Sequence, residues 1–147
     1  MKFSSNIALA IMATIGQLEN ASPVETTELE KRVTHSGTAT VYSQGGVPGS
    51  CGKVSNGNDY VVALGRNWQS NNGFCERKIQ ITNAGPYEDQ SVGGKGKVIV
   101  ATVRDLCEGC NGDDIDLSYG AWNALTNNHV ASRVRATWHF CNANGQC

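Results

Sequence analysis

The sequence lacks both a charge excess and a membrane-length apolar run, and each absence excludes a class of partner. Of its 12 Lys and Arg residues three precede residue 33, and of its 13 Asp and Glu residues four do, which leaves nine of each sign in residues 33–147. A neutral segment does not have the basic excess that binding to nucleic acid or an anionic membrane surface requires. The N-terminal apolar run, residues 7–15, is far shorter than the roughly 20 residues of a transmembrane helix.

Cysteine is absent from the first 50 residues, and all six cysteines follow that point. An even number of cysteines confined to one stretch predicts a disulfide framework if the compartment is oxidising. The pairing is open at this stage because six cysteines allow many connectivities. The six are Cys51, Cys75, Cys107, Cys110, Cys141 and Cys147.

The N-terminus indicates an oxidising, extracellular destination. A short basic start at residues 1–3 precedes the apolar run, which ends at the polar residues 17–20. This pattern predicts a secretory signal peptide over residues 1–21, cleaved near Ala21. An amphipathic first helix is the alternative, but the apolar run has no polar face.

Residues 22–32 are acidic and rich in Thr, with no hydrophobic period, and they end in Lys31 and Arg32. Such a dibasic pair is the kind that furin-like proteases cut, although Lys-Arg pairs also occur by chance in charged linkers. This pair lies where a propeptide would end, between the predicted signal peptide and the first strand-like residues. We therefore expect a secreted domain over residues 33–147, in a style that resembles fungal secretion.

The spacing Cys-x-x-Cys at Cys107 and Cys110 has three possible meanings: a redox centre, half of a zinc site, or a structural disulfide. The nearest histidines, His129 and His139, do not have the spacing of a zinc finger. In an exported domain a structural disulfide is favoured. We therefore expect neither a metal nor a cofactor.

Residues 33–147 show short alternating or β-branched runs between Gly- and Asn-rich segments, which predicts a mainly β domain. One helix is expected over residues 119–125, with Ser118 as its N-cap. Five or six strands with one or two short helices suggest a small closed barrel held by disulfides. The predicted strands are residues 38–42, 59–64, 78–82, 97–104 and 133–140.

Four acidic residues lie between the longest predicted strand and the helix: Asp105, Asp113, Asp114 and Asp116. Paired carboxylates can act on glycosidic bonds, but carboxylates also cap helices and solvate loops. Asp116 is distinct because apolar residues flank it on both sides, which would fix its direction.

Several of these segments together carry a resemblance to a known family. In chain order they are GTATVY from Gly37, SCG from Ser50, VAL from Val62, VRDLCEGC from Val103 and IDLS from Ile115. The set resembles the double-psi β-barrel superfamily of RlpA-like proteins, expansins, loosenins, barwin and plant natriuretic peptides. The resemblance implies a six-stranded double-psi β-barrel with a shallow groove across one side.

In expansin-like members of that superfamily, the Asp of the IDLS segment is essential for wall loosening, and it corresponds to Asp116. The resemblance also brings Thr40, Tyr42 and Asp105 to the groove. Two departures argue against catalysis. Ser43 stands where endoglucanases on this barrel carry a second catalytic Asp, and the Val61–Leu64 strand lacks the His of RlpA-type lytic transglycosylases.

Three tryptophans could stack on sugar rings. Trp122 lies in the predicted helix and Trp138 in an alternating strand, so both are expected in the core. Trp68 is flanked by polar residues and is the candidate for a contact in the groove.

These features predict a monomeric, non-hydrolytic, expansin- or loosenin-like protein that binds or loosens cellulose, chitin or a related glucan through a groove centred on Asp116. The alternative is a protein-binding module, such as an inhibitor of papain-like cysteine proteases or a host-directed effector. Such a module would use the loops Ser43–Gly49 or Glu108–Asp114. Residual glycosidase or lytic transglycosylase activity ranks lowest, because one positioned carboxylate rarely suffices.

Overall fold

A computed structural model describes residues 33–147. The predicted signal peptide, the predicted propeptide and the dibasic pair Lys31–Arg32 lie outside the described residues. The elements are β1 His35–Val41, β2 Val61–Leu64, α1 Arg66–Gln69, β3 Lys78–Pro86, β4 Val98–Leu106, β5 Ile115–Leu117, α2 Tyr119–Thr126 and β6 Val134–Phe140.

The six strands close into a barrel in the order β1-β5-β2-β4-β3-β6. The pairs β1–β5 and β2–β4 are parallel, and the remaining neighbours are antiparallel. This closed, mixed barrel with two short helices confirms the predicted fold class. Strand β5 was not predicted as a strand, because its three residues are too few to show a period.

The barrel interior is filled by the inward-facing residues of the alternating strands. On β3 Ile79 and Ile81 are completely buried, whereas Lys78 on the same strand faces solvent. Trp122 and Trp138 are buried in the core, as the sequence predicted. Full burial of such side chains contributes roughly 1.5–3 kcal/mol each for the aliphatic residues, which is the main stabilising term of this small domain.

Helix α2 begins at the predicted N-cap and ends one residue later than expected, at Thr126. The Ser118 Oγ accepts a hydrogen bond from the Ala121 amide at 3.3 Å, which confirms the predicted N-cap. Its C-cap is Asn127, whose φ of 56° is the left-handed conformation typical of a helix C-terminus. The buried face of α2 carries Ala121, Trp122 and Leu125 against the barrel.

The cysteines form three disulfides: Cys51–Cys75, Cys107–Cys110 and Cys141–Cys147. The predicted disulfide framework is therefore confirmed, and the two cysteines of the Cys-x-x-Cys spacing are bonded to each other. No cysteine in the described part of the chain is free. No helix within residues 33–147 is long and apolar enough to cross a membrane.

Candidate functional site

A groove with a volume of about 450 Å³ runs across the barrel wall where β1, β5, β2 and β4 lie side by side. One rim is the turn that the Cys107–Cys110 disulfide closes. The polar residues that line the groove are Thr38, Thr40, Tyr42, Asp105, Glu108, Asp114, Asp116 and Arg133.

Strand register places four of the lining residues in a single row. Thr40 on β1 is the register partner of Asp116 on β5, and Asp116 is the partner of Ala63 on β2. Ala63 is in turn the partner of Asp105 on β4. Because neighbouring strands are about 4.8 Å apart, the Cα atoms of the two aspartates are about 10 Å apart. The small side chain of Ala63 lies between them at the bottom of the groove and is only 2% exposed.

Asp116 is held by its neighbour in this row. The Thr40 hydroxyl donates to Asp116 Oδ1 at 2.9 Å. Burial raises the pKa of Asp116 above the ordinary 3.8, against the lowering effect of the hydrogen bonds from Thr40 and from the Leu117 backbone, and the negative charge of Asp105 adds to the increase. The Asp116 carboxyl therefore keeps its proton to higher pH than an exposed aspartate, and it can either donate or accept a hydrogen bond near the middle of the groove.

Asp105 is fixed by three donors. The Tyr42 hydroxyl donates to its Oδ2 at 3.0 Å, and the amides of Ser50 and Leu106 donate to its Oδ1 at 2.8 and 2.9 Å. Burial raises the pKa of the Tyr42 hydroxyl, and the nearby Asp105 charge raises it further, so Tyr42 remains the donor. Asp105 thereby anchors the loop before Cys51, and this carboxylate is less available to a ligand than that of Asp116.

The structure thus brings together Thr40, Tyr42, Asp105 and Asp116. Sequence reasoning missed Thr38, Glu108, Asp114 and Arg133 as lining residues. The alternation of β1 could have identified Thr38, because every second residue of a strand shares a face. The others come from loops or chain segments whose approach depends on the fold.

Trp68 does not lie in the groove, contrary to the sequence-based prediction. It is half-buried and packs edge-on against Trp138 and Phe140, at centroid distances of 5.6 and 5.5 Å. Its indole N–H donates to Asp113 Oδ1 at 3.0 Å. The polar neighbours of Trp68 suggested a surface loop, but they form the one-turn helix α1, which directs Trp68 and Gln69 inward.

The groove offers hydroxyl and carboxyl groups that can form hydrogen bonds with a ligand. Asp116 and Asp114 are both half-buried in the groove, and each carboxylate accepts few hydrogen bonds from the protein, in contrast to Asp105 with its three donors. Ser43 is exposed, and the Val61–Leu64 strand is buried and contributes only Ala63 to the groove. Within residues 33–147 no three His, Cys, Asp or Glu side chains are grouped so that they could hold a metal ion.

Several solved structures resemble the barrel. The apo expansin of Clavibacter michiganensis superposes with a TM-score of 0.61 at 24% identity, over 76% of this chain and 52% of that chain. A variant of that expansin in complex with cellohexaose gives a TM-score of 0.60 at 23% identity, over 75% of this chain and 51% of that one. This chain therefore spans about half the length of these expansins.

This chain covers a larger share of two further structures. The Streptomyces papain inhibitor has a TM-score of 0.59 at 25% identity, over 76% of this chain and 96% of the inhibitor. The β-1,4-D-endoglucanase Cel45A of the blue mussel Mytilus edulis has a TM-score of 0.57 at 18% identity, over 78% of this chain and 83% of the enzyme.

Sequence comparison gives one shorter match and no family model. The Allergen Asp f 7 homolog of Arthroderma benhamiae is 34% identical over 87 residues, which are 56% of this chain and 26% of that protein. The chain thus spans about a quarter of that relative. No protein-family model matches the sequence. What the comparisons establish is the fold: residues 33–147 form a double-psi β-barrel of the kind seen in these expansin, inhibitor and endoglucanase structures.

Proposed function

We propose that this protein is a secreted, monomeric, non-hydrolytic protein that binds or loosens cell-wall polysaccharide through the groove centred on Asp116. The observation that carries the proposal is the row Thr40–Asp116–Ala63–Asp105, which presents hydroxyl and carboxyl groups along the floor of the groove. A glucan chain carries many hydroxyl groups and no charge, so such a floor can bind it by hydrogen bonds. The expansin structure that was solved with cellohexaose shares this fold and supports a glucan as the ligand class.

The proposal excludes hydrolysis because the two carboxylates of the row are not equivalent. Inverting glycosidases need one acid and one base about 6.5–9.5 Å apart, with room for a water molecule at the base. Asp105 could supply the base only if it released the hydrogen bonds from Tyr42, Ser50 and Leu106. By the family resemblance, Ser43 stands where endoglucanases on this barrel carry a second catalytic Asp, and a serine hydroxyl cannot serve as that base at neutral pH.

Binding to insoluble cellulose, chitin and β-glucan tests the proposal, with the domain of residues 33–147 as the wild type. We expect Asp116→Asn to weaken binding about tenfold, because a charge-assisted hydrogen bond at a half-buried site contributes on the order of 1.5 kcal/mol. Glu88→Gln is the matched control, since Glu88 is exposed and outside the groove, and it should bind like the wild type.

Two outcomes would contradict the proposal. One is wild-type protein that stays in the supernatant with all three polymers. The other is release of reducing sugar by the wild type that Asp116→Asn abolishes, which would make the protein a hydrolase.

The second candidate is an inhibitor of papain-like cysteine proteases. It is favoured by the Streptomyces papain inhibitor, which this chain matches over 96% of the inhibitor's length. The loop Ser43–Gly49 would be the contact, because Val47 is 61% exposed at its tip. Titration of papain with the protein distinguishes the candidates: no inhibition at micromolar concentration removes this one, whereas inhibition that a Val47→Asp variant loses would favour it over polysaccharide binding.

A further inference from the structure

Two arginines at one end of the groove share a single aromatic ring. The guanidinium carbon of Arg133 lies 5.5 Å from the centroid of the Tyr87 ring, and that of Arg135 lies 5.2 Å from it. Contacts of this kind between a cation and an aromatic ring contribute about 0.5–1 kcal/mol at exposed sites. They therefore hold both flexible side chains beside the same ring.

Strand register places this group in line with the groove floor. The first residue of β6 pairs with Ala39 on β1 and with Pro86 on β3. Arg133 directly precedes that residue, so it lies level with Thr40 on one side and with Tyr87 on the other. Arg133 is also a lining residue of the groove. The row of groove residues is thus extended beyond Thr40 by Arg133 and then Tyr87.

Among the described residues, neither Arg133 nor Arg135 makes a direct ion pair, and neither guanidinium takes part in a hydrogen bond. Arg133 directly precedes β6 and Arg135 is its second residue, and since they are two positions apart in extended chain they project from the same face and repel each other. Both are exposed. An anion bound between them would relieve the repulsion and satisfy their planar donor groups.

We propose that Arg133, Arg135 and Tyr87 form a subsite for a carboxylate group on the polysaccharide, that is, for a uronic acid unit within a glucan-like chain. The inference rests on the proposed function, because it takes the groove as the path of the chain. A guanidinium binds a carboxylate with two parallel hydrogen bonds. The Tyr87 ring, beside which both guanidinium groups lie, would hold them in position for such a contact.

The rest of the groove limits how many acidic units the ligand carries. The groove is otherwise lined by four carboxylates, Asp105, Glu108, Asp114 and Asp116, with Arg133 as its single basic residue among those described. A second uronic acid over Asp116 would meet like charge, which is unfavourable. The preferred ligand therefore has an isolated acidic unit among neutral sugars, and a continuous polyuronate binds less well.

The experiment compares three forms of one polymer: regenerated cellulose, the same cellulose with a small fraction of its C6 hydroxymethyl groups oxidised to carboxylates, and the fully oxidised polymer. Binding isotherms at low ionic strength give the affinity ratio between lightly oxidised and plain cellulose. We expect the wild type to prefer the lightly oxidised form by about three- to tenfold, the range of a partly exposed bidentate ion pair. The Arg133→Gln/Arg135→Gln double variant should bring this ratio close to one.

The control is the Lys78→Gln/Lys97→Gln double variant, which removes two positive charges, as the arginine double variant does. Lys78 and Lys97 line other surface hollows and not the groove, so this variant should keep the preference. Equal wild-type binding to plain and lightly oxidised cellulose would overturn the subsite and leave the proposed function standing. Equal loss of preference in both double variants, or the tightest binding to the fully oxidised polymer, would also overturn it. Wild-type protein that binds none of the three polymers would overturn the subsite together with the proposed function.

Discussion

The groove and the aromatic cluster are two regions of the same barrel that differ in their side chains: the cluster is built from packed rings, and the groove is lined mainly by polar groups. The aromatic cluster consists of His35, Trp68, Phe74, Trp138 and Phe140, whose rings contact one another at centroid distances between 4.5 and 6.1 Å. The groove contains one aromatic residue, Tyr42, and its hydroxyl is engaged by Asp105. The rings of the cluster thus hold β1, β6 and α1 together, whereas the groove presents mainly hydrogen-bonding groups.

The two regions meet at the segment between Asn111 and Ile115. Asp113 accepts hydrogen bonds from the indoles of Trp68 and Trp138, through its carboxylate and its carbonyl respectively. Asp114, the next residue, accepts from the Thr38 amide at 2.8 Å and lines the groove. Outside this segment the residues of the aromatic cluster and those of the groove are different. Variants should therefore change the stability of the domain and its proposed binding separately.

The largest effect is expected from Trp138→Ala. Trp138 is 1% exposed and lies at the centre of the aromatic cluster, so its truncation should lower the free energy of unfolding by about 3–5 kcal/mol. Urea unfolding measures this change. Thr137→Ala, on the outer face of the same strand, is the control and should change stability by about 0.5 kcal/mol or less. A loss below about 1 kcal/mol for Trp138→Ala would mean that the cluster is not the stabilising region.

Gly37→Ala should affect both regions at once. A Cβ at Gly37 would lie 2.5 Å from the Asp113 carbonyl oxygen, so the segment with Asp113 and Asp114 must move. We expect a loss of about 1–3 kcal/mol in stability together with weaker binding to cellulose. Unchanged binding in a destabilised Gly37→Ala protein would show that the segment does not connect the two regions.

Asp116→Asn should change stability in a pH-dependent way that no cluster variant shows. Because the pKa of Asp116 is raised in the folded protein, the folded state binds this proton more tightly than the unfolded chain does. The wild type therefore loses stability as the pH rises from the unfolded value near 3.8 through the higher folded value, and Asp116→Asn does not. Unfolding at pH 3.5 and at pH 7 should show a difference in favour of the variant that grows with pH. A difference that shrinks with pH would contradict the raised pKa.

The smallest effect is expected from Tyr42→Phe. The change removes the hydrogen bond to Asp105 Oδ2 and leaves two donors on the other oxygen, so stability should fall by about 1 kcal/mol. Tyr60→Phe is the control, since Tyr60 is 44% exposed and is expected to be neutral. Equal thermal unfolding of Tyr42→Phe and the wild type would show that the Ser50 and Leu106 amides alone fix Asp105.

Local features of the fold could be predicted from the sequence because they depend on short-range chemistry. The alternation in residues 78–82 and the Ser118 N-cap are examples that the structure confirms. Strand β5 escaped prediction because it is three residues long and is defined by its neighbours β1 and β2. The parallel pairing in the barrel joins segments far apart in the chain, and no local pattern encodes that pairing.

For the candidate site, only the residues that the family resemblance supplied could be predicted from the sequence. It brought Thr40, Tyr42, Asp105 and Asp116 together, and the register explains their proximity. It could not reveal Arg133. This residue joins the row because it directly precedes β6, whose first residue pairs with Ala39 on β1. Trp68 was misplaced because a one-turn helix has too few residues to show which side is buried.

The ends of the described chain lie close together. The first residue of β1, His35, pairs with Trp138, and the Cys147 carbonyl oxygen lies 3.2 Å from Nε2 of the adjacent His139. Thr40 is five residues further along β1, about 17 Å away at the rise of an extended strand. An affinity tag or a fluorescent protein fused at either end would therefore sit away from the groove. A circularly permuted chain, with residues 33 and 147 joined by a short linker and new ends in the Ser43–Gly49 loop, should keep the barrel intact.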